Sequence, residues 1–179
     1  MRIPKSWAEW LARRLDPARL RAYYHLPGYM HRWWVFGGPD SPLRVRLHEI
    51  LRSDRDRALH DHPAASVSLI LRGGYWEVME YTAKDKLDLA DYKNQLGLLP
   101  YISAAGAFVM ADFNIRWRAP GDIVIRRATD AHRIVVPKGQ TSLSLFAMTR
   151  TKNAWGFYPG LEENGKTRKV PWQEYLGKL

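Results

Sequence analysis

A mostly β domain, with N-terminal helices before it and a short C-terminal extension after it, is the fold class this sequence predicts, on three observations. From Tyr29 onward apolar residues recur with a period of two, in strand-length runs bounded by glycine-containing turns. Before that point the spacing is helical. The third observation is the set His60, His62 and His132. Side chains at i and i+2 of a strand point to one side. A third imidazole from a partner strand would complete a three-nitrogen facial site with open positions.

The elements follow in order. Ser6 to about His25 reads as helix, with Ser6 as N-cap, Glu9 completing a capping box, and Trp7, Trp10, Leu11 and Leu15 at helical spacing. Asp16-Pro17 restarts a second short helix, and Leu26-Pro27-Gly28 closes the region. Arg32 to Phe36, Leu43 to Ile50, Ala64 to Leu71 and Tyr75 to Tyr81 read as strands, with turns at Gly37-Gly38-Pro39-Asp40, Ser53 to Arg57 and Gly73-Gly74. Ala83 to Tyr101 reads as an insertion with a short helix. Phe108 to Trp117, Asp122 to Arg126, Arg133 to Val136 and Ser142 to Met148 complete the β region. This divides the chain into a helical extension (1–28), a β-barrel (29–150) and a C-terminal extension (151–179) whose aromatic residues pack on the barrel.

Composition narrows the chemistry. With no cysteine among 179 residues, disulfides and thiolates are excluded, and a metal must be held by His, carboxylate or water. The longest apolar run, Ala104 to Ala111, is strand-sized, and the N-terminus does not read as a signal peptide. The expectation is a soluble, cytoplasmic protein that does not enter a membrane. The formal charge of +10 would attract nucleic acid or an anionic metabolite, although a solvated basic face explains it equally well.

The spacing His60-x-His62, three residues, Ser66, six residues, Gly73 resembles the first motif of the cupin superfamily, and Gly121, Arg127, Thr129 and His132 resemble the second. The stretch from Asp54 to Gly73, with Trp155-Gly156-Phe157, is also similar to small, mostly phage-encoded cupin proteins of unassigned function; for these the compartment is the host cytoplasm. The resemblance implies a double-stranded β-helix (jelly-roll) barrel over about residues 30 to 150. It also implies a divalent metal on His60, His62 and His132, Fe(II) first, with Zn, Mn or Ni as other ions. Ser66 stands where the family carries a glutamate ligand, which leaves a neutral three-His site like that of thiol dioxygenases. A neutral site leaves the ion its full charge and favours a small anionic substrate.

Other residues are candidates for work around this site. Ser66, Glu77 and Arg46 are the candidate catalytic groups, Ser66 through a metal-bound water. Glu77 and Glu80 read as acid/base groups, a displaced ligand, or solvated strand charges. Arg44, Arg46, Arg127 and Tyr75 are the candidate substrate contacts, since an arginine in the cavity clamps a carboxylate or phosphate bidentately. Arg44, Arg46 and His48 share one strand face, which lines either the cavity or the solvent. Arg126 and Arg127 lie on opposite faces, so at most one looks inward. Asp61 should face away from the metal, solvated or salt-bridged. The expected function is a mononuclear Fe(II) dioxygenase acting on a small anion, against a non-redox cupin (isomerase, epimerase or lyase) or a basic binding module for nucleic acid or a virion partner. Trp33-Trp34 or the N-terminal helix would supply a homodimer surface.

Overall fold

The computed structural model describes residues 1–23, 25–54, 58–80, 113–151, 154–159 and 168–176. The expected insertion helix from Ala83 to Tyr101 lies outside the described residues, as does the run from Ala104 to Ala111.

The chain opens with α1 (Lys5–Arg14) and a single 3-10 turn (Pro17–Arg19). Two expectations fail here. Pro4, not Ser6, occupies the N-cap position, and no side chain caps the helix. Asp16 does cap, accepting from the Ala18 amide at 3.0 Å, but only one 3-10 turn follows before the chain becomes β1 (Arg21–Ala22). β1 pairs with β2 (Met30–Phe36), so the sheet begins inside the segment expected to be helical.

The strands that follow are β3 (Leu43–Ile50), β4 (Leu59–His60), β5 (Ser66–Arg72), β6 (Tyr75–Glu80), β7 (Phe113–Arg118), β8 (Ile123–Arg126), β9 (His132–Val135), β10 (Ser142–Thr149), β11 (Gly156–Tyr158) and β12 (Val170–Pro171), and α2 (Trp172–Leu176) closes the described chain. They form two six-stranded antiparallel sheets. One has the order β1-β2-β3-β10-β5-β8 and the other β12-β11-β4-β9-β6-β7. From β3 to β6 the chain changes sheet at every strand; β6 and β7 are antiparallel neighbours in one sheet, and from β7 to β11 the chain again changes sheet at every strand. Among the described residues no ladder joins the two sheets, so they face each other as layers rather than closing a continuous barrel.

The glycines at the two motif positions have a steric reason. Gly73 has φ +71°, and a Cβ there would sit 2.0 Å from the Thr141 carbonyl oxygen. Gly121 has φ +94°, with the Ile3 carbonyl oxygen 2.4 Å from the same point.

The first sheet is covered on both faces. Leu47, Leu71 and Leu143 form its outer core with Leu69, Leu145, Trp33 and Val35, and Leu11, Ala12 and Leu15 of α1 pack on it. Trp7 and Trp10, expected on the inner side of the helix, are 66% and 50% exposed. Leu11 and Leu15 do pack as expected, joined by Ala12, and Ala8 is fully buried, because small and γ-branched side chains let the helix lie close to the sheet. Between the sheets, Ile50 and Ile70 meet Tyr75, Ile134 and Val136. No described helix is long and apolar enough to cross a membrane.

Candidate metal centre

His60 and His132 are cross-strand partners, the one paired position between β4 and β9. β4 also pairs with β11, where Phe157 lies opposite His60. Beyond β4 the chain is held by the His62 amide donating to the Ala128 carbonyl at 3.0 Å, which turns the His62 ring back toward the other two. The three ring centroids are 4.9 to 5.5 Å apart. One nitrogen from each imidazole lies within 4.8 Å of the others, and the Nε2 atoms of His62 and His132 are 2.8 Å apart. Two nitrogens each about 2.1 Å from one ion, at right angles, stand about 3 Å apart. The His62–His132 pair therefore already has the spacing of two ligands on a first-row divalent ion, with a His60 nitrogen within 4.8 Å as the third donor. The same 2.8 Å also suits an N–H···N hydrogen bond within a packed histidine cluster.

Behind His132 stands Glu77, fully buried on β6. Glu77 Oε1 receives the His132 Nδ1–H at 2.7 Å, which leaves the His132 Nε2 lone pair directed at the centre. The same carboxylate accepts from Arg118 Nε at 2.6 Å and from Arg126 Nε at 2.7 Å, with a further short contact from Arg126 Nη2. Burial alone would push the Glu77 carboxyl up, but Arg126, His132 and Arg118 hold it well below the usual range. Glu77 is thus an ionised, fully engaged carboxylate, which corrects the reading of it as a solvated strand charge. It orients the imidazole that would bind.

Burial and Arg126 push His132 down to about 4, against the pull of Glu77. His62 is held well below 6.5 by burial, then by His132 and His60. Both rings are therefore neutral near pH 7, the form that ligates a metal.

Asp61, between two of the histidines, does face away. Its carboxylate is buried and accepts from the Gly156 amide at 2.8 Å, the Tyr158 hydroxyl at 3.0 Å and Lys169 Nζ at 2.5 Å. This ties the C-terminal extension to the His60–His62 segment. Trp155 and Phe157 then lie 6.4 and 5.9 Å from the His60 ring, and Trp172 and Tyr175 stack on them from α2. On the other side, Asp54 accepts from the Ile134 amide at 2.7 Å and from the Tyr29 hydroxyl, with Oδ2 3.8 Å from His60 Nδ1.

The remaining sequence candidates separate clearly. Arg44 sits at the rim, donating to the Thr149 carbonyl at 2.6 Å and Thr151 Oγ1 at 3.0 Å, so it is occupied rather than poised as a clamp. Arg127 is 86% exposed and paired with Asp130 at 3.0 Å; Arg126 is the member of that pair that looks inward. Tyr75 is buried, its hydroxyl 3.3 Å from Arg126 Nη2. Ser66 is buried on the inner face of β5, cross-strand from Arg126 and Met148, and its Oγ has no hydrogen-bond partner. Arg46 and His48 are both buried on the inner face of β3, so that face lines the interior and not the solvent. Glu80's side chain lies outside what the structure describes. Sequence reasoning gave Arg118 and Asp54 no role at the site, because their roles depend on partners across a sheet, and it named Arg126 without singling it out.

No protein-family model matches the chain, and no curated protein matches it by sequence. Among solved structures it resembles a cupin-2 domain protein from Rhodospirillum rubrum (14% identity, covering 90% of this chain and 82% of that one, TM-score 0.48). It also resembles the polyketide cyclase RemF from Streptomyces resistomycificus (13%, 85% and 88%, 0.49). A third likeness is to hydroxypropylphosphonic acid epoxidase from S. wedmorenis (12%, 75% and 56%, 0.45), of which the chain spans little more than half.

Proposed function

We propose that this chain is a metal-dependent cupin in which His60, His62 and His132 hold one divalent ion, and that it acts on a small anionic molecule bound beside that ion. The observation that carries this reading is the convergence of the His62 and His132 Nε2 atoms at 2.8 Å with His132 Nδ1 already donated to Glu77. A carboxylate–histidine pair of this kind is the usual support of a metal-binding imidazole, because it fixes the tautomer and raises the basicity of the free nitrogen. The strand order supports the cupin assignment: β3-β10-β5-β8 faces β4-β9-β6-β7, the arrangement of an eight-stranded double-sheet jelly roll.

Fe(II) in such a centre would supply a redox couple for dioxygen chemistry, whereas Zn would supply Lewis acidity alone and Mn or Ni would serve a non-redox enzyme as Lewis acids. The chain's own residues do the rest. Ser66 contributes no negative charge, so the imidazoles leave the ion's charge uncompensated toward a substrate. Trp155 and Phe157, fixed through Asp61, wall the His60 side and exclude water there. The preferred reading is an Fe(II) dioxygenase; oxygen uptake separates it from a non-redox enzyme.

The test is elemental analysis of protein purified without a histidine tag. One divalent ion per chain in the wild type, lost in His60→Ala and His132→Ala with the fold intact, is the expected result. No stoichiometric ion, or an ion retained by both variants, rejects the metal centre in favour of a packed histidine cluster.

A further inference from the structure

A second buried guanidinium on the inner face of the first sheet is left without a counter-ion. Arg46 is 8% exposed and its Nε has no hydrogen-bond partner. Its guanidinium lies 4.9 Å from the Tyr23 ring centroid and 5.5 Å from those of Trp34 and Phe146, with Nη2 against Met148 Sδ. Rings and a thioether favour a cation, and the Tyr23 hydroxyl adds a neutral hydrogen-bonding partner, but none of these carries the charge that would answer a guanidinium. No carboxylate among the described residues lies within ion-pair distance of it. Two positions along β3, on the same face, His48 is buried and stacked on Phe146 at 4.7 Å, and its Nε2 is also unpartnered. Phe146 in turn lies 6.4 Å from the His62 ring. One aromatic ring thus separates these two unpartnered nitrogens from the candidate metal centre.

Buried arginines are ordinarily paired, because removing the charge from water without a partner is costly. A folded chain that keeps one has left room in its charge balance for an anion. We propose that Arg46 and His48 form an oxyanion-recognition subsite, which holds the carboxylate or phosphate group of a small organic acid whose other end reaches the three-His centre. The inference rests on the metal-centre reading for the direction of that second end only. Tyr23, Trp34 and Phe146 would bracket the acid group, the guanidinium fork would hold it, and a neutral imidazole would add one donor. Burial pushes Arg46 down to about 10, which leaves it charged at neutral pH.

The test measures binding of inorganic phosphate and, separately, acetate to the full chain by calorimetry and by the change in tryptophan fluorescence that Trp34 would report. Wild type and Arg127→Gln, whose side chain is exposed, should bind at least one of the two probes equally. Arg46→Gln should weaken binding by about tenfold or more, the scale of losing a charge-assisted bidentate contact. Arg46→Lys keeps the charge and loses the fork, and should bind measurably but more weakly if Arg46→Gln fails to fold. His60→Ala should lose the metal and keep the Arg46-dependent binding, so failure of the metal centre and failure of the subsite give different results. Binding of neither probe to the wild type, or equal binding by wild type, Arg46→Gln and Arg46→Lys, overturns the proposal. Whichever probe binds more tightly identifies carboxylate or phosphate as the acid group.

Discussion

Arg126 and Arg46 lie on the inner face of the same sheet, are 5% and 8% exposed, and differ in almost everything that surrounds them. Glu77 reaches Arg126 from the opposite sheet, and Ser68 and Tyr75 add weaker contacts. Burial would lower the Arg126 pKa, but Tyr75 and Glu77 together raise it. Arg46 has aromatic faces, a sulfur and the neutral Tyr23 hydroxyl; burial lowers its pKa further than Tyr23 raises it. A buried cation with a fixed carboxylate is structural, since its charge is already answered. One without such a partner stores a binding preference, at some cost in stability.

Glu77→Ala should have the largest effect. It strands Arg126 and removes the partners of Arg118 and His132, and the expected loss is about 3–5 kcal/mol in urea unfolding. Glu77→Gln keeps the volume and should weaken metal affinity by about 10- to 100-fold, read by competition with a chelator. If Glu77→Ala unfolds like the wild type, the paired half of the comparison is wrong.

Asp61→Ala comes next, at about 2–3 kcal/mol, because three donors converge on one buried carboxylate. Limited proteolysis should show the C-terminal extension released before the sheets unfold. An extension equally protected in the variant would show that the aromatic stacking of Trp155 and Phe157 holds it alone.

Arg46→Met should go the other way, leaving stability unchanged or higher by about 1 kcal/mol. Arg126→Met should destabilise. Equal losses from the two substitutions would mean that the aromatic surround satisfies Arg46 as fully as Glu77 satisfies Arg126.

A further effect appears only below neutral pH. Burial first, then Arg46 and Arg32, hold His48 well below 6.5 in the fold. Above about pH 6.5 the ring is neutral both folded and unfolded, and it contributes no pH dependence. Below that, the unfolded chain takes up a proton that the fold refuses, so stability falls with pH by up to about 1.4 kcal/mol per unit for this one group. His62 and His132 act in the same direction in metal-free protein. Denaturation midpoints of the metal-free chain between pH 7 and 5 should therefore fall less steeply in His48→Gln than in the wild type. Parallel curves would place His48 in water.

The element order was largely legible because strand and helix periods are local. Alternation and glycine-bearing turns located β2, β3, β5, β6, β8, β9 and β10 to within a few residues. His60 and His62 do lie together, but not through strand alternation: β4 ends at His60, and His62 is held past its end by its amide's bond to the Ala128 carbonyl. The Arg44–Arg46–His48 face was ambiguous for a physical reason. Alternation separates the two faces of a strand but does not say which is covered, and β3 is buried on both sides at its centre, by the leucine cluster around Leu47 outside and by the second sheet inside. The tryptophans of α1 misled because bulk and hydrophobicity suggest burial, whereas close approach to a sheet favours Ala8, Ala12 and the leucines.

What the sequence determined by itself was a mostly β chain with two glycine-dependent turns, no thiol chemistry, and the candidacy of three imidazoles as one group. Only the tertiary structure decided which charges answer one another. The contacts of Glu77 with Arg126, Arg118 and His132 span 41 to 55 positions of sequence, and that of Asp61 with Lys169 spans 108. A charge's role depends on what is buried against it, and nothing in its neighbours along the chain encodes that. Arg46 and Arg126 are alike as residues on two apolar-alternating strands; the carboxylate from the facing sheet makes one of them part of the scaffold and leaves the other for a ligand.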